Sequence, residues 1–221
     1  VDPTPSYFTW VVVPDTVIDS AQGENNVPIF NGSQTTSTSI EFNFSALHNG
    51  TVTDEVDGFE CKLDNETFTD CSSPTLYPNL LLGNHEFNVR SFILVNESRV
   101  YDPTPARWIW TIIQINTTIN SAIDGNNNPV DYLGVTDSNF INFTFSGSVS
   151  PEDIDIESQG FDCYLDVGVS FFPCTGDVID FTGSQTFNNL TLGPHTFLVW
   201  AFVIVDGHKI VDPTPSYLTR V

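Results

Sequence analysis

Ile40-Glu41-Phe42-Asn43-Phe44-Ser45 alternates apolar and polar side chains with a period of two, and Ile141-Asn142-Phe143-Thr144-Phe145-Ser146 repeats the pattern. A strand sends successive side chains to opposite faces, so this spelling gives one face to a core and one to water. The flanking segments are duplicated as well. Thr16-Val17-Ile18-Asp19-Ser20-Ala21 matches Thr117-Thr118-Ile119-Asn120-Ser121-Ala122, and Gly58-Phe59-Glu60-Cys61-Lys62-Leu63 matches Gly160-Phe161-Asp162-Cys163-Tyr164-Leu165. Further on, Asn79-Leu80-Leu81-Leu82-Gly83-Asn84-His85-Glu86-Phe87 matches Asn189-Leu190-Thr191-Leu192-Gly193-Pro194-His195-Thr196-Phe197. No segment carries a convincing amphipathic-helix pattern. Short strands between Gly, Pro, Asn and Asp clusters predict an all-β chain of two tandem antiparallel sandwiches.

A punctuation phrase separates the copies: Val1-Asp2-Pro3-Thr4-Pro5, Tyr101-Asp102-Pro103-Thr104-Pro105 and Val211-Asp212-Pro213-Thr214-Pro215. It divides the 221 residues into a closing segment at 1–13, a first repeat at 14–113 and a second at 114–221. The two prolines of the phrase cannot donate to a ladder, which predicts an edge kink or a strand switch. The third copy departs from the pattern, with Arg220 at the position of Trp10 and Trp110. The chain opens on Val1 without a signal peptide and reads as a mature or excised piece.

The four cysteines fall one pair per repeat. Cys61 and Cys71 bracket a hairpin turning near Asp64-Asn65-Glu66, and Cys163 and Cys174 bracket another turning near Val167-Gly168. Facing positions on paired strands approach closely enough for a disulfide, so Cys61–Cys71 and Cys163–Cys174 are the expected bridges. Free buried thiols are the competing reading. Bridges imply an oxidising compartment, outside the cell or on its surface.

Phe-x-Cys-x-Leu, the second Cys, Asn-Leu-x-x-Gly-x-His-x-Phe, Asp-Pro-Thr-Pro and the Trp-bearing strand follow one another in fixed order. This series resembles the immunoglobulin-like or fibronectin-like tandem repeats of large microbial extracellular surface proteins, and the likeness spans nearly the whole chain. It implies immunoglobulin-like sandwiches, each with one internal disulfide. It also implies a structural task, in an adhesin stalk, a surface layer or a fibre.

Charge narrows the partners. With 28 acidic and 6 basic residues the formal net charge is −22, which repels nucleic acid and anionic lipid. No stretch reaches the ~20 apolar residues that span a bilayer. Eight Asn-x-Ser/Thr sequons occur, at Asn31, Asn43, Asn49, Asn65, Asn96, Asn116, Asn142 and Asn189. Composition alone gives roughly four, so N-linked glycans are expected at several of them. Idle sequons in an Asn-rich β-protein are the plain alternative.

Apolar surplus points to self-assembly. After His195 the strand reads Leu198, Trp200, Phe202 and Ile204 on the face where repeat 1 has Asn88, Arg90, Phe92 and Leu94. A strand apolar on both faces needs cover on both. Trp108 and Trp110 follow the second phrase, and Phe8, Trp10 and Val12 follow the first. Residues 1–13 read as a closing strand with no repeat before it. Either more chain precedes them, or they pack on a neighbouring copy. The assembly candidates are therefore Phe8, Trp10, Val12, Trp108, Trp110, Leu198, Trp200 and Phe202, with other copies of the chain as partner.

Catalytic motifs are missing from the sequence: it has no His-Glu-x-x-His, Cys-x-x-Cys, Gly-x-Ser-x-Gly or phosphate loop. His85 and His195 each head a core strand and read as packing or turn residues, so no enzyme and no cofactor is expected. Oxygen ligands in the Gly/Asn loops suit calcium, with Asp19 and Glu24 in repeat 1 and Asp124, Asn126 and Asn128 in repeat 2 as candidates. An ordinary Asn-Gly turn is the competing reading. The reading is a structural subunit of a glycosylated extracellular filament or surface assembly, joined head to tail. A stalk segment of an adhesin or surface-layer protein, and a carbohydrate-binding accessory module, are the alternatives.

Overall fold

The computed structural model describes residues 8–152, 154–166, 172–177 and 180–219. Two compact units form, one from residues up to Ser33 with Ser37–Thr111, the other from Gln34–Thr36 with Ile112 onward. Repeat 1 carries β1 (Asp15–Gln22), β2 (Gln34–Thr35), β3 (Ile40–His48), β4 (Thr51–Thr53), β5 (Gly58–Leu63), β6 (Thr69–Cys71), β7 (Thr75–Tyr77), β8 (Gly83–Val95), β9 (Ser98–Tyr101) and β10 (Ala106–Ile112). Its sheets run β1-β3-β4, with β7 also on β3, and β2-β10-β8-β5-β6, with β9 also on β8.

Repeat 2 carries β11 (Gln114–Asp124), β12 (Ile141–Ser150), β13 (Ser158–Leu165), β14 (Phe172–Pro173), β15 (Thr175–Asp177), β16 (Thr182–Phe187), β17 (Thr196–Val205), β18 (His208–Val211) and β19 (Ser216–Thr219). Its sheets run β11-β12-β16-β15 and β14-β13-β17-β18, with β19 also on β17. The described residues are all-β, with antiparallel sheets in each repeat. One three-residue 3-10 turn, Glu24–Asn26, stands among the strands. No helix of the described residues is long and apolar enough to cross a membrane.

The alternation seen in the sequence builds the cores. Ile40, Phe42, Phe44 and Ala46 of β3 are buried, as are Ile141, Phe143 and Phe145 of β12. Phe42 stacks on Phe87 at 4.2 Å between ring centroids, and Phe143 on Phe197 at 4.2 Å. Phe44 meets Phe59 edge-on at 5.1 Å, and Phe145 meets Phe161 at 4.8 Å. Each buried ring contributes about 2–3 kcal/mol by leaving water. Even the irregularity is duplicated, since β1 bulges between Ile18 and Ser20 and β11 between Ile119 and Ser121.

The Asp-Pro-Thr-Pro phrase is a clamp. β9 and β10 both pair with β8, so the phrase kinks an edge and does not switch sheets. Asp102 is buried. Its Oδ1 accepts the N–H and hydroxyl of Thr104, and its Oδ2 accepts the Thr16 N–H. Thr16 Oγ1 in turn accepts the Ser91 N–H. One buried side chain thus ties the kink to β1 and β8, which lie in different sheets. Repeat 2 repeats the device: Asp212 caps Thr214 and accepts the Thr117 hydroxyl, while Thr117 Oγ1 accepts the Ala201 N–H. The first copy of the phrase lies outside the described residues.

Both disulfides form, Cys61–Cys71 with Cα atoms 5.7 Å apart and Cys163–Cys174 with 5.4 Å. The bridged residues are not directly opposite as expected. Cys61 faces Thr69 and Cys71 faces Phe59, and in repeat 2 Cys163 faces Phe172. Each bridge is a diagonal, and strand twist brings one diagonal of a pair close enough to link. The first hairpin turns at Asp64, with the Glu66 N–H donating to the Leu63 carbonyl. The turn expected near Val167-Gly168 lies outside the described residues.

Candidate assembly surface

Residues 8–13 belong to no strand. Phe8 is 82% exposed, Trp10 73% and Val12 61%, and the two rings stack at 6.0 Å. The segment becomes anchored at Pro14, which is buried and accepts the Ser91 hydroxyl through its carbonyl. This is an apolar strip of strand-forming residues standing in water, where burial would release roughly 1.5–3 kcal/mol per large side chain.

The other assembly candidates lie differently. Trp110 is a correction: it is only 2% exposed and packs in the core of repeat 1, 5.3 Å from Phe42 and 5.4 Å from His85. The kink at Asp102 sets the phase of β10, so Trp110 and Ile112 point inward. Trp108 is half-buried, and the indole N–H of each Trp is buried without a hydrogen-bond partner among the described residues.

Leu198, Trp200 and Phe202 lie on one face of β17 and are half-buried. Phe202 is covered within its own repeat. Its ring lies over Gly160, where a Cβ would sit 2.8 Å from it, and the Lys209 ammonium lies 3.8 Å from its centroid. Phe92 does the same in repeat 1, over Gly58 and under Arg99 at 4.2 Å. Alternation alone could not show this cover, because it comes from a glycine on the neighbouring strand and a cation on the next.

Four of the six cations share one sheet of repeat 1. Arg90 is held between Phe68 and Tyr101, 4.1 and 3.9 Å from their ring centroids. Glu60 accepts hydrogen bonds from Arg90, Arg99 and Tyr101. Burial pushes the Glu60 carboxyl up, but these donors outweigh it and hold it below the usual carboxylate range. Glu86 is drawn down to about 2 by Arg107 and Asn88.

The two histidines have matching settings. His85 lies 2.9 Å from Asp64 and 2.8 Å from the Leu81 carbonyl, and His195 lies 2.7 Å from Asp166 and 2.8 Å from the Thr191 carbonyl. Each lashes the entrance of its strand to the preceding hairpin, a structural role. Among the described residues no group of three or more His, Cys, Asp and Glu side chains is placed to hold a metal ion.

Of the calcium candidates, Asp19 and Glu24 have separate partners, the Ser45 and Thr38 hydroxyls. Asp124 is buried and accepts the Thr136 hydroxyl and the N–H groups of Asn128 and Asn126. These bonds, Thr136 foremost, hold its carboxyl below the usual range. They make an Asx turn that closes the Gly125–Asn128 loop.

Sequon side chains divide by place. Asn31, Asn49, Asn65, Asn96, Asn116 and Asn189 are exposed, whereas Asn43 and Asn142 are half-buried on β3 and β12. Asn142 also accepts the Thr186 hydroxyl.

No protein-family model matches the sequence, and no curated protein matches it. Among solved structures, the fibronectin(III)-like modules of CbhA from Clostridium thermocellum align at a TM-score of 0.41 and 15% identity, over 93% of this chain and 93% of that one. A structure described as BspA_C_WT aligns at 0.35 and 8%, over 92% and 99%. The D0-D1 domain of intimin aligns at 0.25 and 13%, over 92% and 97%.

Proposed function

We propose that this chain is a structural subunit of a glycosylated extracellular filament or surface assembly, whose copies join head to tail through strand pairing and aromatic contacts. The observation that carries this reading is the exposed strip Phe8–Val13, which follows one phrase as Trp108–Ile112 follow another. Two disulfides suit an oxidising compartment. Six exposed sequons suit a sugar coat that shields strand edges. Each repeat commits a buried aspartate, Asp102 or Asp212, to a clamp between its strands, which favours a load-bearing part over a reacting one. A contact between two different surfaces does not close on itself, so it propagates. Negative-stain microscopy of the purified chain tests the reading: regular fibres or linear strings of particles are expected, and separate particles of one copy each at all concentrations contradict it.

A further inference from the structure

A groove of about 680 Å³ crosses one sheet of repeat 1, a size that suits a bound ligand. Lys62 of β5, Asn84 and Glu86 of β8, and Arg107 and Ile109 of β10 line it together with Gly32. Its hydrogen-bond donors are only partly used. Asn84 accepts the Thr111 hydroxyl through Oδ1. Arg107 gives one N–H to Glu86, and its side chain is 58% exposed. Lys62 lies 5.5 Å from the Phe68 ring centroid and has no ion pair among the described residues. Lys62 and Arg107 balance Asp64 and Glu86, so the lining is formally neutral on a chain of net charge −22.

The sequon Asn31-Gly32-Ser33 borders this groove through Gly32. Gly32 donates its N–H to the Ile109 carbonyl, and Asn31 Oδ1 accepts the Ile109 N–H at 2.9 Å. The Asn31 side chain thus stands in for a strand partner of β10 and is held there. Repeat 2 shows what that place can hold. Asn31 corresponds to Tyr132, because each stands two residues after the one, Ile29 or Val130, whose N–H closes on Ala21 or Ala122. Arg107 corresponds to Tyr217, five residues after the clamping aspartate, and Lys62 to Tyr164, next to a bridged cysteine. The Tyr132 ring meets the Tyr217 ring edge-on at 6.1 Å. A bulky group at this position therefore reaches the place that Arg107 holds in repeat 1. We infer that the sugar attached to Asn31 lies in the groove, its first rings over Ile109 and Arg107 and within hydrogen-bond reach of Lys62. This rests on the glycosylation reading above and gives one glycan its seat.

Attachment leaves the holding bond intact. The donor is an oligosaccharide joined to a lipid diphosphate. Its anomeric carbon bonds to Asn31 Nδ2, the bond from that carbon to the diphosphate oxygen breaks, and Nδ2 gives up one proton. Oδ1 keeps its lone pairs for the Ile109 N–H. A neutral sugar suits the lining. Its hydroxyls accept from Lys62, Asn84 and Arg107 and donate to Glu86. The C–H face of a ring covers Ile109, which is 38% exposed. Because the sugar is tethered beside the groove, these contacts act at high effective concentration and can be individually weak. Once seated, the sugar shields the Lys62 ammonium and covers this face as Tyr132 and Tyr217 cover its counterpart.

Lys62 and Lys209 are the only lysines of the sequence. An amine-acylating reagent followed by peptide mass spectrometry therefore reads the groove against an internal reference. The chain secreted from an N-glycosylating host is compared with its Ser33→Ala variant, which loses the sequon and keeps Asn31. Sugar is expected at Asn31, with Lys62 acylated several-fold more slowly in the unaltered chain and Lys209 equally in both. Thr67→Ala removes the sequon at Asn65, which also lines the groove, and should leave the protection in place. Sugar at Asn31 with equal Lys62 rates overturns the seating and leaves the glycosylation reading standing. Protection that vanishes with Thr67→Ala and survives Ser33→Ala overturns Asn31 as its source. A bare Asn31 beside occupied sequons overturns the inference, and sugar at no sequon ends the glycosylation reading with it. Should Ser33→Ala not fold, the unaltered chain from a host without N-glycosylation takes its place. Lys62 must then react at the faster rate, and an equal rate overturns the seating.

Discussion

At the residue scale, Asp102 and Asp212 explain why the punctuation phrase is spelled as it is. Aspartate supplies two acceptor oxygens, one for the kink at Thr104 or Thr214 and one for the strand opposite. Asp102→Ala strands the N–H of buried Thr16 and leaves that of exposed Thr104 to water, and should cost about 1–3 kcal/mol in urea unfolding. Asp102→Asn keeps one good acceptor and should cost less. Acid sensitivity belongs to this scale too. The folded Glu86 carboxyl, at about 2, lies below its unfolded value, so its stabilisation is fully present above the ordinary glutamate range. It is lost as pH falls from that range toward 2. Glu60, also lowered, adds to the loss in the same direction. Thermal unfolding of the chain should therefore move to lower temperature across that window, and Arg107→Ala should flatten the dependence. An unchanged slope would contradict the assigned pairing.

At the element scale, period-two alternation and the duplicated segments made the antiparallel sheets and the cystine pairs readable from residues. The register was not readable, because it depends on turn geometry: a shift of two residues keeps each Cys on the same face and so leaves no mark on the pattern. The phase of β10 was hidden for a similar reason. Trp108 and Trp110 alternate with Ile109 and Thr111, and only the clamp at Asp102 decides which set enters the core. Gly160 was silent until Phe202 was found lying on it. Two consequences are measurable. Trp110→Ala should destabilise repeat 1 by about 3–5 kcal/mol, as removal of a buried ring does, whereas Trp10→Ala should leave the monomer's unfolding midpoint unchanged. Replacing Cys61 and Cys71 by Ser opens a loop spanning ten residues of sequence and should cost about 2–3 kcal/mol by chain entropy.

At the scale of the whole molecule, a net charge of −22 opposes the approach of copies, while the strip at Phe8–Val13 favours it. Raising ionic strength screens the first and leaves the second, so association should strengthen with salt. Sugars should occupy the exposed Asn31, Asn49, Asn65, Asn96, Asn116 and Asn189 more fully than the half-buried Asn43 and Asn142, which site-by-site mass spectrometry of secreted material reads directly. Sedimentation velocity of the unaltered chain beside a Phe8→Ser, Trp10→Ser variant, over a range of micromolar concentrations, tests the account at its centre. The unaltered chain should form species that grow with concentration, and the variant should sediment as a folded monomer throughout. A monomer in both, or equal growth in both, contradicts it.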